Sequence, residues 1–102
     1  MQTVILKTGS FGETELTTQL LIKTVLDSPP QGGFLYRDFK ERARVENAMD
    51  NIKPADETNS YPYFELEDRD FDNLAKWSRE QKWAIRSPFI SDYIDGFDKK
   101  VN

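Results

Sequence analysis

The sequence predicts a small α+β domain, in which about four helices pack with a two-stranded sheet in the order β-α-α-β-α-α. Two short segments, near residues 3–9 and from residue 63, carry the β-branched or alternating apolar residues typical of strands. Four other segments have apolar residues three or four positions apart, which is typical of amphipathic helices. Prolines, glycines and polar clusters separate these segments. Two strands make a thin sheet, so we expect the helices to supply most of the core.

The first half of the chain is predicted to contain one strand and two helices. Residues 3–9 form the strand, which we expect to pair with a strand from later in the chain. Thr14 is the expected N-cap of a helix over residues 15–26, whose leucines recur at i, i+4 spacing. A Pro-Pro pair ends this helix. After a Gly-Gly elbow, a second helix is predicted over residues 36–52, with Phe39 among its apolar positions.

The second half is predicted to add one strand and two helices. The alternating segment that begins at Tyr63 predicts the strand. Asp68 is the expected N-cap of a helix over residues 69–82, and further aspartates in its first turn complement the helix dipole. Ser87 and Pro88 have the residue types of an N-cap and a first helical position, so they predict a short last helix.

We expect residues 1–102 to form one domain, because the chain length matches a single core. Residues 53–62 are rich in turn formers and poor in aliphatic side chains, which predicts a flexible loop. Residues 98–102 are expected to fray. The sequence lacks an apolar run long enough to span a membrane and lacks a signal-peptide pattern. We therefore expect a cytoplasmic protein, or one of the host cytoplasm or a virion if it is viral.

The composition excludes several kinds of chemistry. The chain has no cysteine and no histidine, so thiolate metal sites, cysteine nucleophiles and histidine-based triads cannot form within it. Pairs of carboxylates could in principle perform acid–base catalysis, but nothing in the sequence singles out one pair among 18 acidic residues. We therefore expect no enzymatic activity, no cofactor, no metal and no small-molecule substrate.

Two short motifs resemble ligand-binding sequences. TGSFGE, residues 8–13, resembles the glycine-rich loop of protein kinases, but the chain lacks the histidine of the kinase catalytic loop. DRDFDN, residues 68–73, resembles the start of an EF-hand calcium loop, but Asn73 and Arg79 stand where glycine and glutamate are required. A strand-to-helix turn and an aspartate-rich first helical turn explain these residues more simply.

The basic residues of the second helix raise the alternative of DNA binding. The two helices and their elbow have the pattern of a helix-turn-helix, and Arg37, Lys40, Arg42 and Arg44 lie where such proteins contact the major groove. Acidic residues are interspersed among them, however, and the net charge of the chain is −4. The elbow is also longer than usual. A winged-helix-like DNA-binding regulator that uses the basic face of helix 36–52 is therefore the alternative.

Aromatic residues near the C-terminus provide a second candidate surface, because amphipathic rings at helix ends act either as core residues or as interface anchors. The main expectation is a non-enzymatic protein–protein interaction module, whose partner is another protein or a second copy. The small size, the acidity and the lack of cysteine and histidine are similar to assembly, adaptor and inhibitor proteins of bacteriophages and mobile elements. The candidate partner-binding residues are Arg37, Lys40, Arg44, Trp83, Phe89 and Tyr93.

Overall fold

The computed structural model describes residues 1–11, 13–29, 32–83 and 86–98, and within them it has the predicted α+β class. In chain order the elements are β1 (Gln2–Ile5), β2 (Thr8–Phe11), β3 (Thr14–Thr17), α1 (Thr18–Asp27), α2 (Tyr36–Met49), β4 (Tyr63–Leu66), α3 (Asp68–Glu80) and α4 (Pro88–Asp95), and a 3-10 turn follows at Gly96–Asp98. In these ranges no helix has both the length and the apolar character that crossing a membrane requires.

The central sheet pairs β1 with β4 in an antiparallel ladder, which confirms that the first strand pairs with one from later in the chain. Gln2 lies opposite Leu66, and Val4 lies opposite Phe64. These four side chains are buried, whereas the residues between them are more exposed. This alternation gives the ladder one face toward the core and one toward solvent.

Three helices cover the buried face of this sheet. The helix α1 packs on α3, and α2 packs on both α3 and β4. Ile22 and Val25 from α1, Val45 from α2 and Leu74 from α3 are almost inaccessible and join the sheet residues in one apolar cluster. Phe97 in the 3-10 turn also belongs to this cluster. The helices thus supply most of the core, as the thinness of the sheet predicts.

A second sheet, the hairpin of β2 and β3, corrects the sequence prediction for the N-terminal region. The predicted strand over residues 3–9 is divided between β1 and β2, and the TGSFGE motif forms β2 and the approach to the hairpin turn, with Gly12 outside the described residues. The helix α1 begins later than predicted, and Thr17 caps it instead of Thr14: Thr17 Oγ1 accepts a hydrogen bond of 3.0 Å from the Leu20 amide. The β-branched threonines of β3 favour the strand.

The predicted helix break between α1 and α2 is confirmed. Ser28 has an extended backbone and ends α1. Gly32 and Gly33 adopt φ values of +89° and +92°, a conformation that residues with a side chain rarely take. Residues 30 and 31 lie outside the described ranges. The chain therefore turns at the elbow and presents Phe34 and the next residues in front of α2.

The helix α2 ends at Met49, three residues before the predicted end of helix 36–52. Lys53 forms an antiparallel bridge with Tyr63, with amide-to-carbonyl distances of 2.7 and 3.0 Å in the two directions. Because this bridge requires extended backbone, the helix has to unwind before it.

The segment over residues 53–62 contains a hydrogen-bonded turn. One carboxylate oxygen of Asp56 accepts hydrogen bonds from the amides of Thr58 and Asn59, each at 2.8 Å. The hydroxyl of Tyr63 donates to the other oxygen at 3.2 Å. These bonds hold the pKa of the Asp56 carboxyl below its ordinary value, because backbone amides favour its charged form.

The last two helices lie close to their predicted positions. The helix α3 begins at Asp68 and has Glu67 as its N-cap, one residue earlier than predicted. The capping role of Ser87 is confirmed, because its hydroxyl accepts a hydrogen bond of 3.2 Å from the Phe89 amide. Of the tail predicted to fray, residues 99–102 lie outside the described part of the chain.

Gly9 is the point at which α4 docks on the hairpin. A Cβ atom at this position would lie 2.6 Å from Cδ2 of Phe89. We expect Gly9→Ala to lower the free energy of unfolding by about 1–3 kcal/mol, because the ring has to move. Gly96→Ala is the matched control: its φ is −58° and nothing lies within 4 Å, so stability should stay constant or rise slightly. Urea denaturation measures the free energy of unfolding of both variants. An equal change in the two variants would contradict a close contact between Gly9 and Phe89.

Candidate functional site

The basic residues that the sequence singles out on α2 do not form a free stripe. Nε of Arg44 donates a hydrogen bond of 3.0 Å to Oδ1 of Asp70, a buried carboxylate of α3. The ammonium group of Lys40 lies 4.8 Å from the centre of the Tyr36 ring. Arg37 is exposed and forms no ion pair within the described ranges. Arg44 thus already has a carboxylate partner, whereas Arg37 and Lys40 are exposed.

The C-terminal aromatic candidates take part in internal packing. Trp83 and Tyr93 meet edge to face at a centroid distance of 6.4 Å, and both are half-buried. Nε1 of Trp83 donates to the Ser78 carbonyl at 3.3 Å, and the hydroxyls of Tyr93 and Ser78 are 2.8 Å apart. Phe89 lies against Gly9. These rings join α4 to α3 and to the hairpin.

A cluster of exposed apolar side chains stands at the start of α2. Leu35, Tyr36 and Phe39 are 62%, 73% and 57% exposed, and we call these three residues the α2 patch. Phe39 lies six positions before the buried Val45 on α2. At about 100° per residue, the two side chains are about 120° apart around the helix axis. Phe39 therefore points away from the core side that Val45 occupies. The Phe34 ring stands 5.3 Å from the Phe39 ring and extends the patch.

A cleft of about 560 Å³ opens beside the patch, between the end of α1 and the outer side of α2. Its wall combines apolar and aromatic side chains with two carboxylates and one guanidinium. The lining residues are Leu26, Asp27, Phe34, Phe39, Arg42, Ala43 and Glu46. Concave apolar surfaces with a few polar groups are typical binding sites.

Arg42 is a buried cation on the wall of this cleft. Only 7% of the residue is exposed, and its guanidinium carbon lies 4.2 Å from the centre of the Trp77 ring and 5.1 Å from that of Phe34. Nε and Nη1 have no hydrogen-bond partner in the described structure. Burial lowers the pKa of Arg42, and the charges of Asp38 and Glu41 partly offset the shift. Cation–π contacts therefore replace hydrogen bonds here.

Sequence reasoning missed the exposure of the α2 patch and the burial of Arg42. One signal was present for the patch: Tyr36 and Phe39 are out of phase with the apolar stripe that contains Val45. No local signal marks Arg42, because its stacking partner Trp77 comes from a different helix.

Comparison with protein-family models, curated proteins and solved structures finds no match to this chain. Within the described ranges, no group of three or more potential ligand side chains is placed to hold a metal ion, and this includes the aspartates near the start of α3. The α2 patch and its cleft can bury apolar area, stack on cations and accept or donate a few hydrogen bonds.

The buried guanidinium gives a stability prediction. We expect Arg42→Met to keep the aliphatic stem between the rings while removing a desolvated charge, so the free energy of unfolding stays constant or rises by about 1–2 kcal/mol. Arg42→Ala empties the space between the rings and should lower it by about 2–3 kcal/mol. Urea denaturation compares the variants. An equal loss in both would show that the guanidinium itself stabilises the fold.

The buried phenol of Tyr93 gives a pH prediction. Burial raises its pKa well above the ordinary value of 10.0, and the bond with Ser78 only partly opposes this. Because the folded-state pKa exceeds the unfolded one, the stabilisation is complete below about pH 10 and is lost as the pH rises above it. Above this pH the free energy of unfolding should fall by up to about 1.4 kcal/mol more per pH unit than in Tyr93→Phe. Exposed Tyr61→Phe is the control, and should keep the wild-type slope. Equal slopes of the free energy of unfolding against pH in wild type and Tyr93→Phe would contradict a stabilising role for the buried phenol.

Proposed function

We propose that this chain acts without catalysis as a protein-interaction module and that its partner binds at the α2 patch. The observation that carries the proposal is the adjacency of three large apolar side chains, each more than half exposed. Single exposed apolar residues are common, whereas contiguous ones with a polar rim mark interaction sites. Arg37 and Lys40 supply that rim on α2.

The α2 patch has the size and composition of a binding hot spot. Complete burial of one large apolar side chain contributes about 1.5–3 kcal/mol, and more than half of each patch residue is still available for burial. Tyrosine is enriched among hot-spot residues, and the neighbouring cleft can receive a side chain from the partner. Association has its own entropic cost, so the patch serves as an anchor within a larger contact.

The class of protein that fits this proposal is a small assembly, adaptor or inhibitor protein, of the kind that bacteriophages and mobile elements encode. Support comes from the net charge of −4 and the lack of cysteine and histidine in this chain. Proteins of this class act by covering or joining other proteins, which requires an exposed anchor and no catalytic group.

The winged-helix-like DNA-binding regulator has less support. Arg42 is buried and Arg44 is engaged by Asp70, so only Arg37 and Lys40 of the four basic residues are available to phosphates. A gel shift on mixed-sequence DNA across a range of salt concentrations tests this alternative. Salt-sensitive binding that Arg37→Ala abolishes would favour the regulator.

Partner capture tests the proposal. The affinity-tagged protein and the Leu35→Ser/Phe39→Ser variant are incubated with lysate, and mass spectrometry quantifies the recovered proteins. Leu20→Ser is the matched control, because Leu20 is also apolar and 48% exposed but lies on α1. We expect the wild type and the control to enrich the same protein, and the double variant to recover at least about tenfold less. Equal recovery by all three would contradict a role for the patch.

A further inference from the structure

We infer that the cleft beside the α2 patch receives a basic side chain of the partner protein, with a main-chain carbonyl of the same segment at Arg42. The inference rests on the proposed function, because it names the chemistry of the partner that binds at the patch. Two features of the cleft carry it: carboxylates on its wall without a cationic partner, and a buried guanidinium with unpaired donors.

The carboxylates of the cleft wall are available to a ligand. Asp27 is the last residue of α1 and Glu46 lies in the second half of α2, and both line the cleft and are exposed. Within the described ranges neither carboxylate takes part in an ion pair. The exposed cations Arg37 and Lys40 are not part of the wall. The accessible charge of the cleft is therefore negative, which favours a cationic ligand.

The apolar part of the wall suits the body of a basic side chain. Leu26, Phe34 and Phe39 line the same cleft as the two carboxylates. Lysine and arginine pack their aliphatic stems along apolar surface while the charged head reaches polar groups. Their heads also stack on aromatic rings. The cleft volume of about 560 Å³ lies within the range of ligand pockets and is large enough for one such side chain.

The guanidinium of Arg42 favours a neutral hydrogen-bond acceptor as the second group of the ligand. Arg42 lines the cleft and is buried, and its Nε and Nη1 have no hydrogen-bond partner in the described structure. An unpaired buried donor is unfavourable, so a ligand that supplies an acceptor is stabilised. The charges of Asp38 and Glu41 act on Arg42, and together with the carboxylates of the wall they oppose an anionic ligand. A main-chain carbonyl accepts a hydrogen bond without adding charge.

The elbow can give a ligand access to this guanidinium. The Phe34 ring lies 5.1 Å from the guanidinium carbon of Arg42 and follows Gly32 and Gly33 directly. Both glycines have positive φ, and nothing lies within 4 Å of a Cβ atom built at either position. Rotation at these glycines moves the ring aside, and the carbonyl of the bound segment then reaches the donors of Arg42.

An NMR titration of the ¹⁵N-labelled full chain with three blocked tripeptides tests the inference. The peptides are Leu-Arg-Leu, Leu-Gln-Leu and Leu-Glu-Leu, each acetylated and amidated so that only the central side chain differs in charge. We expect the arginine peptide to shift the amides of Asp27, Phe34 and Ala43, with a dissociation constant on the order of 1–5 mM. It should bind at least about fivefold more tightly than the glutamine peptide, and the glutamate peptide should bind most weakly.

Two double variants test the source of this preference. Asp27→Asn/Glu46→Gln should raise the dissociation constant of the arginine peptide at least about fivefold, to the level of the glutamine peptide. Glu13→Gln/Glu15→Gln is the matched control, because it removes the same number of charges at exposed positions before and in β3. The control should bind the arginine peptide within about twofold of the wild type.

The side chain of Arg42 provides a separate readout in the same titration. Its Nε–H resonance, identified by its absence from the spectrum of Arg42→Met, should move downfield as the arginine peptide binds, because the proton gains an acceptor. A resonance that stays in place at saturation would contradict the contact between the carbonyl and Arg42.

Three other results would overturn the inference: no shifts in the cleft with the arginine peptide up to about 20 mM, equal affinity for the arginine and glutamine peptides, or tighter binding of the glutamate peptide. If these peptide results occur while the chain still captures a protein through Leu35 and Phe39, the basic side chain is refuted and the proposed function remains intact. Failure of the titration and of the capture experiment refutes both.

Discussion

The pairing of β1 with β4 is the contact that orients the surface of this protein. It joins Gln2–Ile5 to Tyr63–Leu66 across most of the described chain and turns Phe64 and Leu66 inward. A shift of the register by one residue would turn both side chains to solvent. Because α2 packs on β4, the inward side chains of the sheet also decide which side of α2 is buried. Val45 occupies that side, and Tyr36 and Phe39 point away from it and are exposed.

The same orientation explains the unusual state of Arg42. It precedes Val45 by three residues and therefore lies on a flank of α2 that faces the other helices. Trp77 from α3 and Phe34 from the elbow contact its guanidinium, so the long side chain fills the space between these two rings. The elbow thus has two roles: it ends α1, and it brings Phe34 to the cleft and Leu35 to the patch.

Local sequence patterns predict some parts of this fold well. The residue types of Ser87 and Pro88 fix the start of α4, because capping depends only on neighbours in the chain. The β2–β3 hairpin was not predicted, since its residues lie in a glycine-containing motif and in a segment with helical leucine spacing. The α2 patch was not predicted for a related reason: α2 carries apolar residues on two sides, and only packing against β4 decides which side is buried. Which basic residues are free likewise depends on α3, through Asp70 and Trp77.

The central claim is that the outward side of α2 is the binding surface. The most direct measurement is a map of backbone amide chemical shifts in the ¹⁵N-labelled protein, alone and after addition of the protein recovered in the capture experiment. The account predicts that the shifts fall on Leu35, Tyr36 and Phe39, while α4 stays constant. Shifts centred on α4, or none on α2, would contradict the account.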